Sequence, residues 1–316
     1  MKFDRHKVMA VFTVVIFTAL ASLDNAVVGV FPPLFSSIAQ DFGIHISNLG
    51  IVSAVTIFST SVSSIAWGYL AGKYKRKRLI ILGTIFWAVS VYLTAKSENL
   101  AQLIIYQVLT GVGLGCISSI GFSVLTDYIP KKRLGMLMSF WGLSAGFGGI
   151  AGSVMASLIT PVAGWRKPFE VIAILGAVFT VLYFFIREPE KGEAEPELKK
   201  LRKGNYNYKY EYKIEYKHLP QIISKESNKW LILQGFFMNL TTGTLIWLPT
   251  LYIAKLEDKG VPNETSVITA GYLFALLQMG GLFSTYFGHL GDRLQKKNYR
   301  GRALLGAISV LAAIPL

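Results

Sequence analysis

Gly68-Tyr69-Leu70-Ala71-Gly72-Lys73-Tyr74-Lys75-Arg76-Lys77-Arg78 decides the fold of this 316-residue chain. A long apolar run ends here in a glycine turn and breaks into a cationic cluster, and a second apolar run starts at once with Leu79. Two membrane-spanning helices joined by a tight loop on the cytoplasmic face have this pattern. The stretch returns 220 residues further on, where Gly288-His289-Leu290-Gly291-Asp292-Arg293-Leu294-Gln295-Lys296-Lys297 lays over Gly68 to Lys77 position for position. Pro33 with Pro249 and Gly43 with Gly260 repeat at spacings of 216 and 217 residues. Three landmarks at nearly one spacing mark an internal duplication.

Hydrophobic residues are 52% of the chain and charged residues 16%, the balance of a polytopic membrane protein. Nine apolar segments, approximately 8–31, 47–70, 79–95, 100–125, 135–160, 168–186, 230–254, 265–288 and 303–316, approach the ~20 residues that cross a bilayer. With the N-terminus in the cytoplasm, the outer loops hold only Lys96, Arg166, Lys167, Lys255 and Lys259 of the 32 Lys and Arg. The net charge of +14 is therefore a topology signal and a contact for anionic lipids at the cytoplasmic face, not a nucleic-acid surface. The basic start and apolar run imitate a signal peptide, but the run reaches Phe31 and is read as a retained span of the cell membrane. Cys116 is the single cysteine, so no intramolecular disulfide forms. His6, His45, His218 and His289 are scattered, and no phosphate-binding loop appears. No metal site, cofactor or enzyme is implied, and ATP-driven transport is not expected.

The form Gly-x-Leu-(small)-Asp-Arg-x-x-(basic)-(basic) resembles the loop signature of the major facilitator superfamily. The resemblance implies an all-α membrane fold of two parallel six-helix halves: residues 1–190 are the first half, 191–228 a cytoplasmic linker, and 229–316 the first three spans of the second half. It makes gating loops of Gly68, Gly72, Lys73 and Arg76 and of Gly288, Asp292 and Arg293. Asp292 resembles the acid that holds helix ends together at the inner gate. Gly72 stands where the family usually has that acid, so a looser first latch is expected, held by its basic cluster. In the fifth span, Gly142, Gly146, Gly148 and Gly149 resemble a motif of the family's exporters, with Phe147 in place of its proline, and they let helices cross closely. Gly164-Trp165-Arg166-Lys167-Pro168-Phe169 resembles the family's outer hairpin, with Trp165 suited to the membrane interface. This hairpin and the long linker look like the spinster-like branch, whose substrates tend to be amphipathic lipids.

Asp24 is the one acid placed well inside a span, and an intramembrane carboxylate is a functional hypothesis by default. Binding and releasing a proton, or meeting a cationic substrate, is its functional reading; an interhelical hydrogen bond is its structural one. In the family, helices one, four, seven and ten line the cavity, which places Asn25, Gln107, Gln234, Asn239 and Thr242 near the solute. Gln107 occupies the position of an arginine often tied to proton coupling in the family's antiporters. Ser53, Thr56, Thr60, Ser63 and Ser64 share one helical face, a helix contact first and a pathway lining second. Tyr206 to Lys217 alternates with the period of a strand but is read as a biased, mostly disordered linker.

The expectation is a monomeric secondary active transporter that moves a small organic solute by alternating access, coupled to protons, with efflux ahead of uptake. Uncoupled or sodium-linked uptake of a metabolite or amphipathic lipid is the second reading, and a non-transporting scaffold or sensor the third. The ninth segment is short at Leu316, which leads to the expectation of an incomplete gene product or a truncated record.

Overall fold

Long apolar segments fold as continuous helices because a bilayer core has no water to satisfy a broken backbone. The structure, a computed structural model, describes residues 5–128, 134–186, 188 and 218–313. α1 (Arg5–Val30) runs through a 3₁₀ turn at Pro32–Leu34 into α2 (Phe35–Phe42), which ends at Gly43 with φ 62°. α3 (Asn48–Lys73), α4 (Arg76–Ala95) and α5 (Leu100–Cys116) follow. A π turn at Ile117–Gly121 leads to α6 (Phe122–Tyr128), and α7 (Leu134–Ala163) and α8 (Arg166–Phe184) complete this half. Asn99 caps α5 by accepting from the Gln102 N–H at 2.9 Å, while the Gln102 side chain reaches back to the Glu98 N–H, also at 2.9 Å.

The second part holds α9 (Leu219–Ser224), α10 (Glu226–Leu245), α11 (Leu248–Glu257) and α12 (Asn263–Gln278). A 3₁₀ turn at Met279–Phe283, α13 (Ser284–Lys297) and α14 (Gly301–Ala313) follow. Eight helical stretches among the described residues are long and apolar enough to cross a membrane, and α14 is a shorter apolar helix. No strand occurs among the described residues. This is an all-α, multi-pass membrane protein. The alternating Tyr206–Lys217 segment and the basic loop after Tyr128 lie outside the described residues; residues 218–228, assigned to the linker, form α9 and the start of α10.

One expectation is corrected. No glycine turn forms at Gly68–Gly72; both residues sit inside α3, and the Tyr74 N–H still donates to the Leu70 carbonyl at 2.9 Å. Gly288, Asp292 and Arg293 likewise lie on α13. Glycine inside a span keeps its helical hydrogen bonds where no water would replace them, so the chain turns only at Tyr74–Lys75, beyond the apolar run.

α7 is the shared wall, packed along α1 on one side and along α12, α13 and the 3₁₀ turn between them on the other. Glycine makes both crossings close: a Cβ at Gly148 would stand 2.1 Å from the Ser22 carbonyl oxygen, and one at Gly152 2.1 Å from that of Ala26. On the opposite face, Gly146 meets the backbone of Gly281, which also approaches Gly142, and Gly149 meets the Gln278 side chain. The core is divided between a cluster around Phe35, Trp87 and Phe169 near the non-basic end and one around Phe17, Ile80 and Ile120 near the basic end.

Candidate functional site

The end of α1 and the residue that follows it carry Asp24, Val27, Val28 and Phe31 on one face, since residues three, four and seven apart align on a helix. Val27, Val28, Phe31 and Pro32 line a cavity of about 50 Å³ with Ser53, Thr56 and Ile57 of α3, Gln107 of α5 and Ile246 just beyond α10. Four segments that are distant in sequence thus meet at one polar spot in an apolar wall. Asp24 lies one turn from Val28 toward the basic end, 8% exposed, and its Oδ1 is buried with no hydrogen-bond partner. Phe17, two turns further on the same face, packs its ring against Gly121 of the π turn.

Gln107 is 2% exposed and hydrogen-bonded at both ends of its amide. Its Oε1 accepts from the Thr56 hydroxyl at 3.1 Å and its Nε2 donates to Thr94 Oγ1 at 3.1 Å. Where the family pattern has a charged side chain, this chain ties α3, α4 and α5 with a neutral bridge. The hydroxyl face of α3 serves mainly as a helix contact: Ser63 donates to the Gly111 carbonyl at 3.3 Å, and Gly115 approaches Ser63, Ser64 and Thr60. Ser53 and Thr56, at its far end, reach the cavity.

The remaining candidates are not gathered there. The Asn25 amide donates to the Ala21 carbonyl at 2.7 Å, with its Cβ facing Gly148 of α7. Gln234 and Asn239 are exposed on α10, and the Asn239 amide donates to the Gly235 carbonyl at 2.8 Å. The Thr242 side chain lies outside the described residues. Next to the cavity-lining Ile246, Trp247, which the sequence analysis does not single out, stacks edge to face on Phe35 at 5.3 Å and fills a notch that exists because residue 50 is glycine. A Cβ at Gly50 would stand 2.7 Å from the Trp247 ring.

At the basic end, the first latch is not loose. Arg76 is 3% exposed and pairs with Asp127, while its Nη1 donates to the Ser123 hydroxyl at 3.1 Å and carbonyl at 3.3 Å. Its backbone N–H donates to Glu188 Oε1 at 3.1 Å, and its Nε lies 3.6 Å from that oxygen. Glu188 thereby satisfies an orphan donor at the start of α4 and sits favourably on the helix dipole. The acid missing at Gly72 is made good by Asp127 at the end of α6 and Glu188 just after α8. A Cβ at Gly68 or Gly72 would meet nothing within 4 Å, and Lys73 lies over the Tyr69 ring at 4.3 Å. In the second copy Asp292 pairs with Arg302 at the start of α14, whose N–H donates to Gln295 Oε1 at 3.4 Å, while Arg293 is exposed.

At the other end, Trp165 is 4% exposed, its ring buried against protein at the outer hairpin. Its Nε1 donates to Asp41 Oδ2 at 3.2 Å, and Arg166 lies over its ring at 4.4 Å. Arg166 also pairs with Asp41 at 2.9 Å and donates to the Ser97 carbonyl at 2.9 Å, which ties the start of α8 to the end of α2 and to the loop after α4. Lys96 reaches Glu170 at 2.7 Å, and this hydrogen bond holds the Lys96 ammonium pKa above its ordinary value.

Residues 14–316 match the family model of the Major Facilitator Superfamily. The chain is 24% identical over 310 residues to the probable sulfoacetate transporter SauU of Cupriavidus necator, covering 96% of this chain and 69% of that protein. It is 25% identical over 273 residues to the multidrug resistance protein MdtG of Salmonella arizonae, covering 84% and 62%. With protein spinster of Drosophila melanogaster it shares 24% over 292 residues, covering 90% and 46%. The solved structure of a bacterial homologue of the human lysosomal transporter Spinster, inward-facing and unoccupied, matches with a TM-score of 0.69 at 16% identity, covering 92% of this chain and 63% of that one. The chain thus spans between 46% and 69% of the length of these proteins.

Proposed function

We propose that this chain, which belongs to the Major Facilitator Superfamily, carries the solute pathway of a transporter that moves a small organic solute across the cell membrane by alternating access, with Asp24 as its proton-coupling group. The observation that carries this reading is the buried, unpartnered Oδ1 of Asp24 beside a cavity shared by α1, α3, α5 and the end of α10. A carboxylate held in an apolar wall without a cation either binds a proton or pays heavily for its charge.

We read the Trp247 contact with Phe35 and Gly50 as the closure on the non-basic side, which suits a form open toward the cytoplasm. Export is the proposed direction, on the glycine pattern of α7. The basic ends of the helices lie at the cytoplasmic face against anionic lipids, with the N-terminus on the same side, and the protein acts as a monomer.

The test is reconstitution in liposomes carrying a trapped pH-sensitive dye, with candidate solutes scanned for proton movement. Asp24→Asn is expected to abolish proton movement coupled to solute, at least ten-fold below the parent. Unchanged coupling in the variant would make Asp24 a structural acid and overturn this reading.

A further inference from the structure

We propose that Gln107 sets the specificity of the cavity, which takes an uncharged hydroxyl at the end of a short apolar arm of the solute; this rests on the transport reading above and names the solute's class. Three side chains that form hydrogen bonds, Ser53, Thr56 and Gln107, meet in a wall that is otherwise apolar. No ionisable residue lines it, so a charged group entering the cavity would lose its water and find no counter-ion in the wall.

The way the Gln107 amide is held decides which half of it a guest meets. Thr94, completely buried, donates its hydroxyl proton to the Ser90 carbonyl at 3.0 Å and accepts from Gln107 Nε2 at 3.1 Å. Thr94 is not among the lining residues. Thr56 is, and it stands 3.1 Å from Oε1, so the carbonyl is the end of the amide turned to the cavity. The one proton of the Thr56 hydroxyl is shared between Oε1 and the Val52 carbonyl, which lies 2.8 Å away. A carbonyl oxygen and a hydroxyl oxygen each carry two lone pairs, so acceptors outnumber protons on this side of the cavity. An ether or ester would leave them unpaired. A hydroxyl donates to one of them, and Ser53, one turn before Thr56 on α3, is placed to donate back to its oxygen. A site of this kind rejects an analogue without the donor more strongly than one that differs only in size. The volume of about 50 Å³ admits the end of an arm rather than a whole solute.

The experiment is calorimetric titration of the full chain in nanodiscs, with empty nanodiscs subtracted, using n-pentanol, its isomer butyl methyl ether, pentanoate and pentylammonium. Pentanol is expected to bind roughly ten-fold or more tighter than the ether and than either ion. Gln107→Met keeps the chain length and removes the carbonyl; it is expected to bring pentanol within about two-fold of the ether and to leave ether binding unchanged. Thr94→Val touches no guest but frees the amide to turn, and is expected to reduce the preference for pentanol about three-fold or more. Ether or ion binding as tight as that of pentanol in the parent overturns the proposal, as does a preference that survives Gln107→Met, or no binding of any probe. If Gln107→Met does not fold, the parent comparison and Thr94→Val decide, and a preference unmoved by Thr94→Val overturns the proposal. These outcomes are separable from the transport reading: lost coupling in Asp24→Asn with no preference for pentanol in the parent removes the solute class alone, and a preference for pentanol without proton movement removes the coupling alone.

Discussion

Replacing Arg76 with methionine is expected to destabilise the basic end of the first half far beyond the loss of one surface charge. The guanidinium is almost completely buried and joins α4 to Ser123 and Asp127 on α6 and to Glu188 after α8. Removing one partner of a buried ion pair costs about 3–5 kcal/mol, because the opposite charge stays behind. Here the Asp127 and Glu188 side chains keep 13% and 25% of their exposure, so partial hydration lowers the expected loss to about 2–3 kcal/mol. Asp127→Asn in the Arg76→Met background removes the charge left behind and is expected to recover about half of that loss, a coupling of about 1–1.5 kcal/mol. The assay is unfolding in mixed micelles followed by tryptophan fluorescence, run on the parent, both single variants and the double variant. A single-variant loss below about 0.5 kcal/mol, or additive effects of the two substitutions, would refute the reasoning, since exposed pairs behave in that way.

Gly152→Val puts side-chain atoms where the Ala26 carbonyl oxygen lies 2.1 Å from a Cβ, so α1 and α7 must separate; a loss of about 1–3 kcal/mol is expected in the same unfolding assay. Trp247→Ala empties the notch at Gly50 and frees the cavity toward the non-basic end. A cysteine placed at Val28 should then react faster with a membrane-impermeant thiol reagent added from that side, in a Cys116→Ala background, and an unchanged rate would remove Trp247 as the closing contact.

Much of the fold was legible in the chain itself. Run length and charge asymmetry are one-dimensional quantities, so the spans, their number and the repeated Gly68 and Gly288 stretches could be read directly. Asp24 stood out for the same reason, as an acid far from any polar segment. What could not be read was which side chains meet. Arg76 finds Asp127 51 positions away and Glu188 112 away, and these two supply what Gly72 lacks. Gln107 is hydrogen-bonded to threonines on two other helices, and Trp247 docks on a glycine nearly two hundred residues earlier in the chain. In a soluble helix, the apolar face announces where the partner lies. In a span, lipid and protein neighbours are both apolar, so the sequence carries little record of which way each face points. Helix order, rotation and the close glycine crossings set those meetings, and only the tertiary structure decides them.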